Sequence, residues 1–298
     1  MPIHHFFLRC AAVAALLGAG WLALTSGLSL RELVWDEAAF GLVPSAFGFS
    51  WSEWVTSAAV DRGITLTEKA VGVVFILFAG LLALRRKAFF GLTTLVAASA
   101  ALLFLRAFLF WKGHFYQVGA LLETCIQTLA PLLYVLFWVG LNRLGTENKQ
   151  RPSGNVFWFL IRFAVALTFV GHGLYAIGFH PVPAHFVFMT QAGLGVGEGV
   201  ARQLLFGVGV LDFLAAALLL LPWRRAWFAG LVWIVPWAVL TTFARVWSYG
   251  GFVGFDTLLT QWLPQMVVRF PHVLLPLALL FWARSQDAGL VEEDGLRS

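Results

Sequence analysis

Long apolar segments fill most of this chain and constrain its fold more than any other feature. A helix that crosses a bilayer needs about 20 mostly apolar residues. Eight segments meet this requirement, at roughly 6–28, 69–85, 88–111, 119–142, 156–178, 202–221, 225–247 and 263–283. Apolar and polar residues do not alternate within them, as they would in the strands of a membrane β-barrel. The sequence therefore predicts an all-α, polytopic membrane protein with eight transmembrane helices.

The amino-acid composition excludes several other classes of protein. Hydrophobic residues make up 60% of the 298 residues and charged residues 12%, whereas soluble domains average about 45–50% and about 25%. This balance is not that of a disordered chain, a disulfide scaffold, a coiled coil or an ordinary cytosolic enzyme. Cys10 and Cys125 lie in apolar segments without metal-ligand spacing. We interpret them as small apolar side chains, not as part of a metal site.

Lysine and arginine cluster in alternate connections between the predicted spans. Because these residues are enriched in cytoplasmic connections, we expect both termini to be cytoplasmic and the connections 29–67 and 179–201 to face outward. The net charge of +5 is accordingly interpreted as a topology signal, not as nucleic-acid binding. The basic residues of the predicted cytoplasmic side are Arg85, Arg86, Lys87, Arg143, Lys149, Arg151, Arg224, Arg225, Arg284 and Arg297.

The chain also contains an internal duplication. The segments around Arg9 and Arg162 are similar, and in both the arginine is followed by two glycines at the same positions. The matching pairs are Gly18 and Gly171, Gly20 and Gly173, Gly91 and Gly230, Phe104 and Phe243, and Arg106 and Arg245. We therefore predict two four-helix repeats, residues 1–145 and 155–298, joined by a polar linker at 145–155. The even number of spans makes the repeats parallel, and the duplication argues that the first segment is retained rather than cleaved as a signal peptide.

The two long connections differ in their local patterns. Ser50 and Glu53 form a possible capping box, and Trp51 and Trp54 then share one face of a short amphipathic helix at the membrane interface. The corresponding stretch, 185–199, is rich in glycine and is predicted to be a flexible loop. No strand precedes these glycines, so they are not a dinucleotide-binding fingerprint.

Motifs of the second repeat resemble those of a known family. They are Gly171-His172-Gly173, the run Gly207-Val208-Gly209-Val210-Leu211-Asp212, the turn Trp223-Arg224-Arg225, and Arg245. They resemble the DoxX/DoxD-like superfamily of bacterial four-helix membrane proteins, so the chain looks like a fused pair of such units. The resemblance implies a bacterial-type inner (plasma) membrane and a component of a quinone-linked oxidoreductase, such as thiosulfate:quinone oxidoreductase. Asp212 fits the acidic position of the family's second helix, whereas the first repeat has apolar residues there.

Ionisable residues inside the predicted spans are candidate functional groups, because their burial in a bilayer is costly. Asp212 lies about ten residues into its helix, roughly 15 Å deep, and either pairs with His172 or Arg245 or lines a wet pocket. We predict one outward-opening site, mainly in the second repeat, with Asp212, His172 and Arg245 as the catalytic residues. Asp212 would handle a proton, Arg245 would hold an anion or a quinone oxygen, and His172 would bridge them. Tyr175, Trp247 and Tyr249 lie at similar depth and are the candidate cofactor-binding residues.

Several structural interpretations compete with these roles. Arg9 and Arg162 fit snorkelling and helix docking, and Arg106 fits a pair with Glu123. His172, His180, His185 and His272 admit a metal site or a haem, although hydrogen-bonded histidines explain them as well.

The sequence leaves three functions open. The first is a quinone-linked oxidoreductase component, with quinone as a possible cofactor. The second is a non-catalytic subunit, an assembly factor or a carrier for a small hydrophobic ligand, and the third is an ion-coupled transporter. The expected partners are the lipid bilayer and either another protein or a second copy of the chain, with no nucleic acid.

Overall fold

The described part of this protein is built from helices alone. The structure, a computed structural model, describes residues 3–84, 90–143 and 154–295. The helices before residue 144 are α1 (Ile3–Thr25), α2 (Arg31–Val34), α3 (Glu37–Phe40), α4 (Leu42–Ala46), α5 (Trp51–Thr56), α6 (Ala58–Leu84), α7 (Phe90–Gly113), α8 (Val118–Glu123) and α9 (Cys125–Arg143). The later helices are α10 (Gly154–Ala176), α11 (Ala184–Leu194), α12 (Glu198–Leu220), α13 (Arg224–Gly250), α14 (Phe255–Thr257), a π-helical segment (Leu258–Trp262), α15 (Leu263–Arg269) and α16 (Pro271–Gly295).

Eight helical stretches within the described ranges are long and apolar enough to cross a membrane. The predicted all-α, polytopic membrane fold is therefore confirmed. The main differences lie at the helix ends. The second span begins at Ala58 instead of residue 69, because α6 also includes the more polar residues that precede position 69. In the fourth span, Thr124 separates α8 from α9. The predicted basic turn Arg85–Lys87 and linker residues 145–153 lie outside the described residues.

The two long connections contain more helix than the sequence patterns indicate. The capping box is confirmed, since Ser50 and Glu53 each accept a backbone hydrogen bond from the other residue. The prediction of a flexible loop at 185–199 is wrong, because α11 occupies most of it. Val187 of α11 packs in a small apolar cluster, and Gly195 ends the helix with a left-handed φ of 65°. Apolar packing therefore outweighs the glycine content of this segment.

The bundle has two distinct ends. One end, here called the loop end, carries the connections 26–57, 114–117 and 177–183. The opposite end, here called the turn end, carries the first residues of α1, the connection 221–223 and the last residues of α16. Arg9 and Arg162 lie near the turn end and donate hydrogen bonds to carbonyls at the ends of α6 and α12, respectively. These contacts agree with the helix-docking interpretation of both arginines.

The first helix of each half packs against helices of both halves. Helix α1 packs against α6 and also against α15 and α16, whereas α10 packs against α12 and also against α8 and α9. The buried apolar core runs along α1 and α10. The outer helices instead expose large apolar side chains, such as Leu77 on α6 and Val232 on α13. These outer faces suit contact with lipid acyl chains.

Candidate functional site

One cavity lies in the second half of the chain and is mainly apolar. This apolar cavity has a volume of about 370 Å³ and lies among α10, α11, α12 and α13. Leu204, Val208 and Leu240 contribute to its apolar wall. Four residues singled out from the sequence also line it: His172, Asp212, Arg245 and Trp247. The structure thus brings the three predicted catalytic residues and one predicted cofactor-binding residue to one cavity.

The second cavity lies at the loop end, between the two halves of the chain, and is more polar. This polar cavity has a volume of about 700 Å³. Arg245 and Arg269 line both cavities, so their side chains form a shared wall. Tyr175 lines the polar cavity, whereas Tyr249 lines neither and instead stacks on Trp262 with ring centroids 3.5 Å apart. The three predicted cofactor-binding residues are therefore in three different places.

Asp212 is buried in α12, with 1% of its surface exposed. Its Oδ1 accepts a hydrogen bond of 2.9 Å from Nε1 of Trp233 in α13. The Trp233 ring in turn stacks on Trp237, with centroids 5.6 Å apart. No ion pair joins Asp212 to His172 or Arg245 in the part of the chain that the structure describes. The indole N–H groups of Trp233 and Trp237 therefore pair with this carboxylate at the wall of the cavity.

The strongest polar contacts form a cluster of Glu123, His172, Arg269 and His272, here called the central cluster. Nη2 of Arg269 donates a hydrogen bond to Oε1 of Glu123. Nε2 of His172 lies 3.5 Å from both Oε1 of Glu123 and Nη1 of Arg269. The tautomer of His172 decides whether this nitrogen donates to the carboxylate or accepts from the guanidinium. The rings of His172 and His272 stack with centroids 5.5 Å apart.

Glu123, His172 and His272 are each at most 6% exposed, so the central cluster is largely removed from water. Glu123 belongs to α8 in the first half, and the other three residues belong to the second half. An ion pair in such surroundings is weakly screened, and loss of one partner leaves an uncompensated buried charge. The cluster therefore ties the two halves together at the site.

Two further arginines face the polar cavity with fewer partners. Nη1 of Arg245 donates a hydrogen bond of 2.8 Å to Oε1 of Gln265, whereas its Nε has no partner among the described residues. Arg106 also lines this cavity. The predicted pair of Arg106 with Glu123 does not form, because Arg269 occupies that carboxylate.

The remaining candidate histidines lie near the polar cavity but apart from each other. Nε2 of His180 accepts a hydrogen bond of 3.2 Å from the backbone N–H of Gly119. Burial, reinforced by the charge of Arg245, lowers the pKa of His185 from its ordinary value of 6.5 to about 3. Within the described ranges, no group of three or more His, Cys, Asp or Glu side chains is placed to hold a metal ion.

Sequence reasoning missed Arg269 and Gln265, and it assigned Glu123 to a different partner. Arg269 gave a usable signal, since it is an ionisable residue within the predicted span 263–283. Gln265 gave none, because a single amide near a helix start is common. Trp233 also gave no signal, because nothing in the sequence distinguishes it from the other tryptophans among the 14 in the chain.

Comparisons with protein-family models, curated proteins and solved structures found no match to this chain.

Proposed function

We propose that this protein binds a lipid-soluble ligand with a polar head group, of the quinone class, as the membrane component of a quinone-linked oxidoreductase. The apolar cavity is the observation that carries this proposal, because it joins a lipid-facing mouth to a polar inner wall. At the mouth, Leu204, Leu240 and Trp247 are 42%, 44% and 52% exposed. At the inner wall, His172 and Arg245 are 6% and 5% exposed. An amphipathic ligand entering from the bilayer fits this gradient.

The residues of the inner wall fit the head group of a quinone. A quinone presents carbonyl oxygens that accept hydrogen bonds, and the unpartnered Nε of Arg245 is a buried donor. Arg269 and His172 add nitrogens on the same wall. The volume of about 370 Å³ falls within the usual range of about 300–1,000 Å³ for ligand sites. The resemblance to the DoxX/DoxD-like superfamily supports the same ligand class.

The chain's own residues offer groups that hold protons at this cavity. When bound, a quinone would take up two protons together with two electrons from the reduced substrate of the oxidoreductase. Glu123 lines the polar cavity, and its carboxylate lies 3.5 Å from Nε2 of His172, which lines the apolar cavity. In the proposal, His172 would hold a proton for the head group, Glu123 would orient the imidazole, and Asp212 would hold a second proton at the same cavity. Arg245 orients the head-group oxygen.

Quinone binding by the purified protein tests this proposal. A short-chain quinone should quench tryptophan fluorescence saturably, because Trp237 and Trp247 line the cavity. Val208→Trp should fill the cavity and weaken binding about tenfold or more, a loss of about 1.4 kcal/mol or more. Val232→Trp is the matched control, because Val232 is 64% exposed on the lipid-facing surface. Equal affinities in the two variants would place the ligand elsewhere.

A second candidate function is a carrier for a hydrophobic ligand without redox chemistry. The hydrogen bond from Trp233 to Asp212 favours it, because this carboxylate already has a structural partner. Asp212→Asn separates the two candidates, since an amide keeps an acceptor oxygen but does not exchange a proton. Loss of quinone reduction with unchanged quinone binding supports the redox function. A wild-type protein that binds quinone but never turns it over supports the carrier.

We also propose a bacterial-type inner-membrane location, with both termini in the cytoplasm. Arg224, Arg225 and Arg284 support this orientation, because all three lie at the turn end with the first residues of α1 and the last residues of α16. Eight spans also return the chain to its starting side. Reporter fusions after residue 298 and within 41–48 test the orientation. A reporter active only in the periplasm should work at 41–48 alone, and the reverse pattern would invert the topology.

A further inference from the structure

The polar cavity holds an excess of positive charge. Among the described residues that line it, three are arginines, Arg106, Arg245 and Arg269, and one is a carboxylate, Glu123. Glu123 pairs with Arg269. The acceptor facing Arg245 is the neutral amide of Gln265. Because arginine stays protonated in proteins, two positive charges in this cavity are left without an anionic partner.

Unpartnered hydrogen-bond donors collect at the same place. Five buried side-chain atoms in the described part of the chain have no hydrogen-bond partner, and three of them belong to residues that line the polar cavity. These three are Oη of Tyr175, Nε of Arg245 and Nε1 of Trp262. Buried polar atoms are normally satisfied, so a shared shortage of acceptors in one cavity indicates a ligand that supplies them.

We propose that the polar cavity binds a small soluble oxyanion, a carboxylate or a phosphate- or sulfate-like group. Guanidinium groups match such anions in both charge and geometry, because paired N–H donors face paired oxygens. The mouth of the cavity is at the loop end and is lined by polar and loop residues such as Ser29, Gln117 and Pro183. This mouth admits a soluble anion rather than an acyl chain. The site is distinct from the apolar cavity in most of its lining, although Arg245 and Arg269 line both cavities.

Titration of the purified protein with inorganic phosphate, sulfate and acetate tests this site. The measurement is isothermal calorimetry in detergent, at low ionic strength and in a buffer free of other oxyanions. Wild-type protein should bind at least one of the three saturably at one site. Arg106→Gln removes a charged donor and should weaken binding about tenfold or more. Arg202→Gln should change it less than about twofold, because Arg202 is exposed, pairs with Glu198 and lies outside both cavities.

Tyr175→Phe keeps the test decisive if Arg106→Gln does not fold. The Tyr175 hydroxyl has no hydrogen-bond partner among the described residues. Its removal therefore breaks no hydrogen bond seen in the fold but should weaken anion binding about threefold or more. Absence of saturable binding by wild-type protein would overturn the proposal. Equal affinities in Arg106→Gln, Tyr175→Phe and Arg202→Gln would also overturn it, as would retention of anionic lipid alone with no response to the soluble anions.

Discussion

Asp212 and Trp233 form a buried pair whose two members depend on each other. Removal of Asp212 leaves Nε1 of Trp233 without its acceptor, and removal of Trp233 takes one donor from Asp212. An unsatisfied buried group costs about 1–3 kcal/mol. Removal of both leaves neither half of this hydrogen bond unsatisfied. Asp212→Leu and Trp233→Phe should each lower the free energy of unfolding. The double variant should lose less than the sum of the two single losses, and the difference should be about 0.5–3 kcal/mol.

The control for this cycle combines Asp212→Leu with Trp223→Phe. Trp223 is 68% exposed, so these two effects should add to within about 0.5 kcal/mol. Unfolding in detergent, followed by far-UV circular dichroism, provides all the free energies. Additivity of Asp212→Leu with Trp233→Phe would mean that the hydrogen bond contributes nothing to stability.

His185 should make the protein sensitive to acid. Burial, and after it the charge of Arg245, lower the pKa of His185 to about 3, below its ordinary value of 6.5. Between these two pH values the unfolded chain binds a proton at His185, whereas the folded chain does not. The contribution of neutral His185 to the free energy of unfolding is therefore complete above pH 6.5 and is lost as pH falls toward about 3. His185→Gln cannot titrate and should lose less stability over this range. Melting temperatures from pH 4 to pH 8 measure the difference, and parallel curves for the two proteins would contradict the assignment.

Several residues that line the two cavities were identified from the sequence, whereas Arg269, Gln265 and the pairings of the polar groups were not. A charged residue in an apolar run stands out, and on this basis Asp212, His172 and Arg245 could be identified. Which groups touch depends on the rotation and depth of each helix, and hydropathy specifies neither. Glu123 lies 146 residues from Arg269 along the chain, and no local pattern in the sequence joins them.

At the scale of elements, the helix spans were the most predictable feature, since apolar length alone decides what can cross a bilayer. The capping box of α5 was equally readable, because its signal lies within four residues. Helix α11 was not, because the glycines at 193, 195, 197 and 199 favour a loop, whereas Val187 in the body of the helix packs against α12. Local patterns thus predict local structure, and tertiary contacts account for the exceptions.

Glycines determine how closely the central helices approach. A Cβ added at Gly171 in α10 would lie 2.5 Å from the backbone nitrogen of Glu123 and 2.9 Å from the carbonyl oxygen of Gly119. Because both are backbone atoms, Gly171→Ala must push α10 away from α8, and we expect it to cost about 1–3 kcal/mol of unfolding free energy. It should also displace Glu123 from Arg269.

Gly207→Ala is the matched control for Gly171→Ala. A Cβ at Gly207 in α12 meets nothing within 4 Å, and alanine in a helix interior gains about 0.5–1 kcal/mol over glycine. The two substitutions should therefore change the free energy of unfolding in opposite directions in detergent unfolding experiments. A similar effect of both variants would show that the close approach of α10 to α8 is not essential.

At the scale of the whole molecule, several contacts recur in the two halves. Arg9 and Arg162 each bind the end of the second span of their own half. A Cβ at Gly18 would overlap the backbone of Val268 in the second half, just as one at Gly171 would overlap α8 in the first. These paired contacts support the proposal of two parallel repeats. They also mean that the first helix of each half packs against helices of both halves.

These contacts between the halves predict that each half is stable only in the presence of the other. Alone, residues 155–298 would lose the contacts of α10 with α8 and α9, and Arg269 would lose Glu123. Loss of one partner of a buried ion pair costs about 3–5 kcal/mol. We therefore expect residues 155–298 to aggregate when expressed alone, and to copurify with residues 1–145 when the two are coexpressed. Size-exclusion chromatography of a tagged second half measures both outcomes.

A second half carrying Gly171→Leu provides the control for the split-chain experiment. Its larger side chain should block docking onto α8 and reduce copurification, whereas Gly207→Leu, at an open position, should not. If residues 155–298 instead eluted alone as a monodisperse species, the central cluster would not be needed to hold this half together. The apolar cavity would then belong to the second half alone, whereas the polar cavity would still need Arg106 and Glu123 of the first half. The split-chain result therefore also decides whether the anion site is a property of the assembled molecule.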